Sequence, residues 1–442
     1  MGIVFLFKIL YIFNFFIYNN IMKLIADLHI HSRFSRCCSK NITIPDLAKW
    51  AEIKGIDILS SSDFTHPQWL AEIKENLENN GQGLFTLKNK EYKTHFILST
   101  EVSCIYKRGD QCRRLHLCIL FPSIKAVEKF NAKLESLDKN LKSDGRPILG
   151  LDARDIVDIA LQADEKALII PAHIWTPWFA MFGSKSGFNS AQECFGDYTR
   201  HIYAVETGLS TDPPMNWMVS DLDKFLLVSN SDAHSMENLG REANVWDLED
   251  FSYDEIYNLL KNKDKSKFLY TIEFYPEEGK YHSDGHLKCG TFFNPQETKK
   301  NKGICPVCRK PLVIGTMNRV MELADRTKAD VEKIRDKFIP YKSLIPLKVI
   351  IGEIEKVGSK SKKVDLIYHQ LIKKGENEFS ILLDIEIEKL KVIGGDVFAE
   401  AIRRMRAGQV HLQPGYDGKY GIIKVFNEEE LKKIRGEQKT LF

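Results

Sequence analysis

The chain has 442 residues, 63 basic against 60 acidic side chains (net charge +3) and 43% apolar residues. That length suits two or three domains with buried cores, and the composition excludes intrinsically disordered, collagen-like and coiled-coil chains. Near-neutral charge leaves nucleic-acid binding open, while nine irregularly spaced cysteines argue against a disulfide scaffold and for a reducing, cytoplasmic setting.

Residues 3–18 are almost continuously apolar, with Lys8 the only charge, yet the stretch is short for a membrane span and has no small-residue cleavage site after it. A signal anchor and a buried N-terminal strand-helix compete there with an over-extended reading frame. The last is preferred, because Met22-Lys23-Leu24-Ile25-Ala26-Asp27 begins a clean strand. Residues 1–21 are therefore expected to lie outside the fold, with no stable membrane association.

From Met22 to about Asn262, short apolar runs alternate with helical patterns. Strands are expected at Leu24–Ala26, Ile56–Ser60, Phe96–Thr100, Leu115–Phe121, Ala167–Ile170, Ile202–Val205 and Phe225–Ser229. Helices are expected at 45–54 and near 123–140, 153–163 and 214–223. This repetition predicts an α/β barrel or layered sheet with mainly parallel strands, whose chemistry collects at the C-terminal strand ends. Beyond residue 270 the pattern changes. Residues 282–310 have the composition of a small metal-stapled module, 317–337 read as one amphipathic helix, and further helices are expected at 363–374 and 395–407. The glycine-rich run 413–421 reads as a tight hairpin or a plain turn.

Side chains able to bind metal recur where the strands end. His29 and His31 point the same way in an extended segment and can grip one cation together. Asp63 follows the second strand, Glu101 the third, and His116 opens the fourth. His173, Glu206, Asp232 and His234 end the next three. Singly, each is more often a cap or a satisfied core group. Strand after strand with such a residue at or beside an end suits Zn²⁺, Mn²⁺ or Fe²⁺ better than Ca²⁺, and phosphoester hydrolysis is the leading reaction, with metal-dependent amide hydrolysis behind it.

In this order the residues resemble the polymerase-and-histidinol-phosphatase (PHP) domain. Pro171-Ala172-His173-x-x-Thr176-Pro177-Trp178, Glu206-Thr207-Gly208-Leu209-Ser210 and Leu239-Gly240-Arg241-Glu242 look like endonuclease Q. The resemblance covers roughly 22–442. It implies a PHP-type distorted (β/α)7 barrel over 22–270, a zinc-binding module over 271–315 and an α+β or helical, DNA-contacting region over 316–442. It also implies nicking of single- or double-stranded DNA on the 5′ side of deaminated bases (uracil, hypoxanthine, xanthine) or abasic sites, with a sliding clamp as a further partner. By the same resemblance, His29, His31, Glu101 and Asp232 hold one metal and Glu101 bridges to a second on His116 and His173. Asp63 and His234 serve a third or orient the attacking water, and Asp232, His234 and Glu101 are the catalytic set. Two or three zinc, manganese or magnesium ions are implied. The chain departs from the pattern at Ser35-Arg36-Cys37-Cys38, where an acidic residue is common, and at Asp63-Phe64-Thr65, where Asp-His is common. His66 is expected there either as a substitute ligand or as a residue that orients one.

His286-x-x-Cys289 and Cys305-x-x-Cys308 have the spacing of a closed, structural tetrahedral zinc site, with His282 the alternative to His286. The aromatic stretch after His173, with Trp175, Trp178 and Phe179, suits an everted base, and Lys185 a phosphate. Basic runs at 299–302, 309–310, 360–363 and 373–374 read as phosphate contacts or solvated faces. The alternatives are a phosphatase for a small phosphorylated metabolite, which leaves the module without a task, and a non-catalytic nucleic-acid-binding protein.

Overall fold

The computed structural model describes residues 22–437; the apolar N-terminal stretch lies outside them. Among the described residues no helix is long and apolar enough to cross a membrane. Eleven strands build the body: β1 (Lys23–Asp27), β2 (Ile58–Ser60), β3 (Leu77–Asn79), β4 (Phe85–Leu87), β5 (His95–Arg108), β6 (Gln111–Phe121), β7 (Leu168–Pro171), β8 (Ala204–Glu206), β9 (Leu226–Val228), β10 (Ala243–Asp247) and β11 (Phe268–Glu273). β1 pairs with β2, β2 with β5, β5 with β6 and β6 with β7. The β8–β9 pair continues this circuit, the Ile174 amide donating to the Glu206 carbonyl (3.1 Å). A parallel bridge between Ile30 and Ala233 closes it back onto β1. The result is the distorted seven-stranded α/β barrel that the resemblance implies.

The sheet is mixed, however, and not mainly parallel. β5–β6 and β6–β7 are antiparallel. Gly109-Asp110 joins β5 to β6 as a two-residue loop with Gly109 at φ 60°, and such a loop can connect only antiparallel neighbours. The two strands therefore run well past the expected 96–100 and 115–121. Two expected helices are also broken. Residues 214–223 become a short helix (Pro213–Trp217) and a 3-10 turn (Ser220–Lys224). Residues 317–337 split into Thr316–Leu323 and Lys328–Ile334. The second split has a cause: Thr327 and Asp330 form a capping box that starts a new helix, Asp325 accepts from the Ser220 amide (2.8 Å), and Arg326 forks onto Asp223.

Beyond β11 come the hairpin β12 (Asp284–His286) and β13 (Thr291–Phe293), then β14 (Tyr341–Ser343), which lies parallel on β11. The glycine-rich run is a hairpin, β15 (His411–Gln413) against β16 (Ile422–Lys424). The helices Leu347–Glu355 and Lys362–Gly375 dock on the barrel through a buried ion pair. Lys54 Nζ lies 2.6 Å from Glu378 Oε2, and the same carboxylate accepts from the Tyr368 hydroxyl (2.7 Å) and the Leu347 amide (3.0 Å).

The barrel also buries Glu242 and Glu273, neither of which forms a salt bridge among the described residues. Burial, with the charge of Asp212, pushes the Glu273 carboxyl up to about 8. The native state therefore keeps a proton that the unfolded chain loses near 4.5. Stability falls as pH rises through that window, by about 1.4 kcal/mol per unit for one such group. E273Q, neutral throughout, is expected to melt above the parent at pH 8–9, with the gap closing towards pH 5 in melts across that range.

Candidate metal centre

His29 and His31 leave β1 in extended backbone, and their rings converge at 5.4 Å between centroids. Glu101, fully buried in the middle of β5, is the hub. Its Oε2 lies 3.6 Å from His29 Nε2, 3.1 Å from His31 Nε2 and 2.9 Å from Arg146 Nη1. Its Oε1 lies 2.7 Å from His116 Nδ1 and 3.1 Å from His173 Nε2. Asp232 Oδ1 approaches His31 Nε2 at 3.1 Å and His29 Nε2 at 3.7 Å. Two sets of donor atoms thus converge within 4.8 Å: His29, His31, Glu101 and Asp232, and Glu101, His116 and His173.

The donor set fits divalent cations on an observation of its own. His29 Nε2, His31 Nε2 and Asp232 Oδ1 are buried, face one another and make no hydrogen bond of acceptable geometry. Such atoms are costly unless something fills the space between them. Burial would lower both imidazoles, but the surrounding acids prevail and hold His29 and His31 well above the ordinary range. Burial, only partly offset by Glu101, takes His116 down to about 4, so it presents a neutral ring. Glu101 is held well below the usual carboxylate range, since His116, Arg146 and His29 outweigh its burial. Cations entering such a site displace protons, so loading rises with pH.

Behind the converging atoms lies a second layer. Glu206 receives the other nitrogen of His29 (Nδ1 to Oε1, 3.1 Å), the His173 amide (2.7 Å) and Asn230 Nδ2 (2.8 Å). Asp63 faces His31 Nδ1 at 3.2 Å with Oδ1, while its Oδ2 accepts from the Ser32 amide (2.7 Å) and the Ser32 and Ser35 hydroxyls (2.6 and 2.8 Å). Both oxygens of Asp63 are engaged. It orients a candidate ligand and is not itself among the converging donors, which corrects its expected place as a ligand. Asp63, His173 and Asp232 all sit in the left-handed region (φ 34°, 31° and 46°), a strain that accumulates where side chains are aimed for function. Gly208 (φ 65°) packs on His173, and any Cβ there would meet the His173 Cα at 2.7 Å.

Other expected site residues lie apart. His66 stacks on Phe34 with ring centroids 4.0 Å apart and joins no donor set, so it is not the substitute ligand. His234 is partly exposed. Its ring sits 4.5 Å from that of His31, and its Nδ1 lies 2.9 Å from the Asp232 carbonyl. Trp175 is only 1% exposed and donates to Asn216 (2.7 Å), so it is core and closed to any base. Trp178 is 42% exposed. Phe179, at φ 62°, packs its ring 5.0 Å from His116, and Lys185 is exposed on the same loop. Arg146 and Arg319 carried no sequence signal. Buried Arg319 donates to the Phe182 and Phe188 carbonyls (3.0 and 2.9 Å) and so pins the aromatic loop to the helix Thr316–Leu323.

The second donor cluster unites His286, Cys289, Cys305 and Cys308, with Cys308 Sγ 3.4 Å from His286 Nδ1. Amides of Cys308 and Val307 bring the Cys305 thiol down to about 6, which favours the thiolate that zinc needs. His282 is buried outside this cluster, so His286 is the fourth member.

Comparison with known proteins gives close relatives. The lesion-specific endonuclease PfuEndoQ from Pyrococcus furiosus superposes with a TM-score of 0.81 at 32% identity, covering 93% of this chain and 97% of that one. A structure of endonuclease Q in complex with a 27-mer duplex bearing an abasic lesion at the active site gives 0.79 at 32% identity, covering 93% and 98%. Residues 346–409 match the MJ0043 C-terminal domain family. The uncharacterized protein MJ0043 of Methanocaldococcus jannaschii is 34% identical over 271 residues, 60% of this chain and 32% of that one; the match spans about a third of that relative's length.

Proposed function

The chain belongs to the endonuclease Q family, and from that membership we propose that it hydrolyses the DNA phosphodiester 5′ of deaminated bases (uracil, hypoxanthine, xanthine) and of abasic sites at the centre just described. The carrying observation is Glu101, one buried carboxylate whose two oxygens face four imidazoles and a guanidinium. On this reading His29, His31, Glu101 and Asp232 would hold one divalent cation, and Glu101, His116 and His173 a second, of zinc, manganese or magnesium. Bound there, such ions supply an activated water and neutralise charge on the phosphate.

The chain's own side chains do the rest. Glu206 and Asp63 fix the rings of His29 and His31 so that each Nε2 faces the centre. His234 takes the proton-moving role beside Asp232, and Arg146 offers a fixed guanidinium to a non-bridging phosphate oxygen. Trp178 and Phe179 face the everted nucleotide and Lys185 a phosphate. His286, Cys289, Cys305 and Cys308 would hold one structural zinc. The chain then divides into a metal-bearing barrel (22–270), a zinc module (271–315) and a DNA-contacting region (316–442). Duplex DNA as partner is supported by the relative captured on an abasic 27-mer. A sliding clamp gains no such support. The metabolite-phosphatase alternative would leave the zinc module idle, whereas a long duplex gives it a surface to meet.

The test is D232N. Nicking of a duplex carrying one uracil, hypoxanthine or abasic site is expected to vanish while binding to the same duplex stays within about threefold. A fully active D232N enzyme would sink the reading.

A further inference from the structure

The zinc module and the β15–β16 hairpin expose more aromatic and cationic surface than the metal centre uses. Residues 280–310 hold seven basic side chains against two acidic ones, Asp284 and Glu297. Asp284 is turned inward, accepting from the Gly315 amide (2.6 Å) and Asn318 (2.5 Å). The hairpin is fastened to this segment along its length. The amides of Gly415, Gly418 and Gly421 donate to the carbonyls of Glu277, Lys280 and Glu278 at 2.8, 3.1 and 3.0 Å. Within it, Tyr416 is buried and stacks under Phe292 (5.5 Å between centroids, 26° between planes).

From this rigid base Phe292 and Tyr420 stand out into solvent, 52% and 63% exposed. The Lys280 ammonium sits 4.9 Å above the Tyr420 ring. The same segment reaches the metal centre's rim, where Tyr281 meets Trp178 edge to face at 6.0 Å. Arg319 ties that loop to the helix that follows the module.

We infer that Phe292 and Tyr420 form a stacking platform for unpaired nucleotides flanking the cleaved one, with Lys280 meeting their phosphates; this rests on the DNA-nicking reading. Three physical points support it. Every base has a π-face, so exposed rings stack on unpaired bases regardless of sequence, while paired bases keep theirs hidden. Everting a nucleotide leaves its partner and neighbours unstacked and in need of cover. Lysine is depleted from the cores of protein–protein interfaces, and here it lies directly over a ring, which favours nucleic acid over a protein partner.

The experiment compares the full chain with Y420A, F292A and the double variant, by fluorescence anisotropy on two DNAs. One is a fully paired duplex, the other the same duplex with a short unpaired bubble. Each single variant is expected to weaken bubble binding by about 5- to 100-fold and paired-duplex binding by less than about twofold. Y420W should restore the bubble affinity. Zinc content and the nicking rate at saturating DNA should match the parent. Equal weakening on both DNAs would assign the surface to backbone contact, and unchanged affinity on both would hand it to a protein partner; either overturns the inference. A parent that nicks no lesion-bearing duplex, while the variants still lose bubble binding, would remove the functional reading and leave the platform standing.

Discussion

Replacing Glu101 by glutamine is expected to lower nicking by about a thousandfold or more and to reduce divalent metal content together. The reasoning is electrostatic. Glu101 is the one carboxylate shared by both donor sets, and it is held ionised by His116, Arg146 and His29 despite complete burial. The amide keeps the shape but removes a full negative charge from among four imidazoles and Arg146. Each donor set loses an anionic member, and the guanidinium stays half-buried without its partner. A thousandfold loss corresponds to about 4 kcal/mol of transition-state stabilisation, well within what a shared charged ligand supplies. Single-turnover nicking, read beside metal analysis of the same preparation, separates this outcome from a purely structural role. Normal metal content with normal nicking would contradict the assignment of Glu101 as hub.

Replacing Cys308 by serine should have the second largest effect, on stability and not on chemistry. Each member of a closed four-donor site contributes to binding that is itself folding free energy, on the order of 10 kcal/mol for structural zinc in small modules. C308S is expected to lose one zinc per chain and to open residues 282–310 to proteolysis. The barrel, whose apolar core takes no residue from 282–310, should keep its melting transition. Limited digestion and metal analysis check both halves, and a barrel that unfolds together with the module would refute this independence.

Much of the centre was legible in the chain because its chemistry is written in residue types at strand ends. His29-x-His31, Glu101, His116, His173 and Asp232 stand out by position, and the structure brings their donor atoms together. The roles of their neighbours were not legible. Asp63 looked like another ligand, and only its three hydrogen-bond donors and the His31 ring reveal that it has no free oxygen to offer. Arg146 and Arg319 come from segments without periodicity, and their reach depends on tertiary placement. Trp175 and Trp178 are three residues apart on one loop, one in the core and one in solvent; composition cannot separate them. The β5–β6 hairpin was the exception, for Gly109-Asp110 is a turn signal that the expectation of parallel strands overrode. The long helix expected at 317–337 failed because tertiary partners for Asp325 and Arg326 outweigh continuous helical propensity.

The parallel pairing of β11 with β14 has a topological consequence. Strands running the same way cannot be joined by a tight turn; the chain must travel back over the sheet, usually through a helix of a dozen residues or more. Here the return path is the segment that carries the His286–Cys308 donor cluster, from Phe274 to Pro340. What looks in one dimension like a bead threaded between two domains is, in three, the handle of a βxβ unit whose two ends are secured in adjacent strands of one sheet. Excising it with a short linker would leave β14 no means of regaining its register. A shortened chain would need a replacement long enough to recross the sheet, so insertion and deletion in this lineage should be tolerated at the hairpin tips and not at the strand junctions.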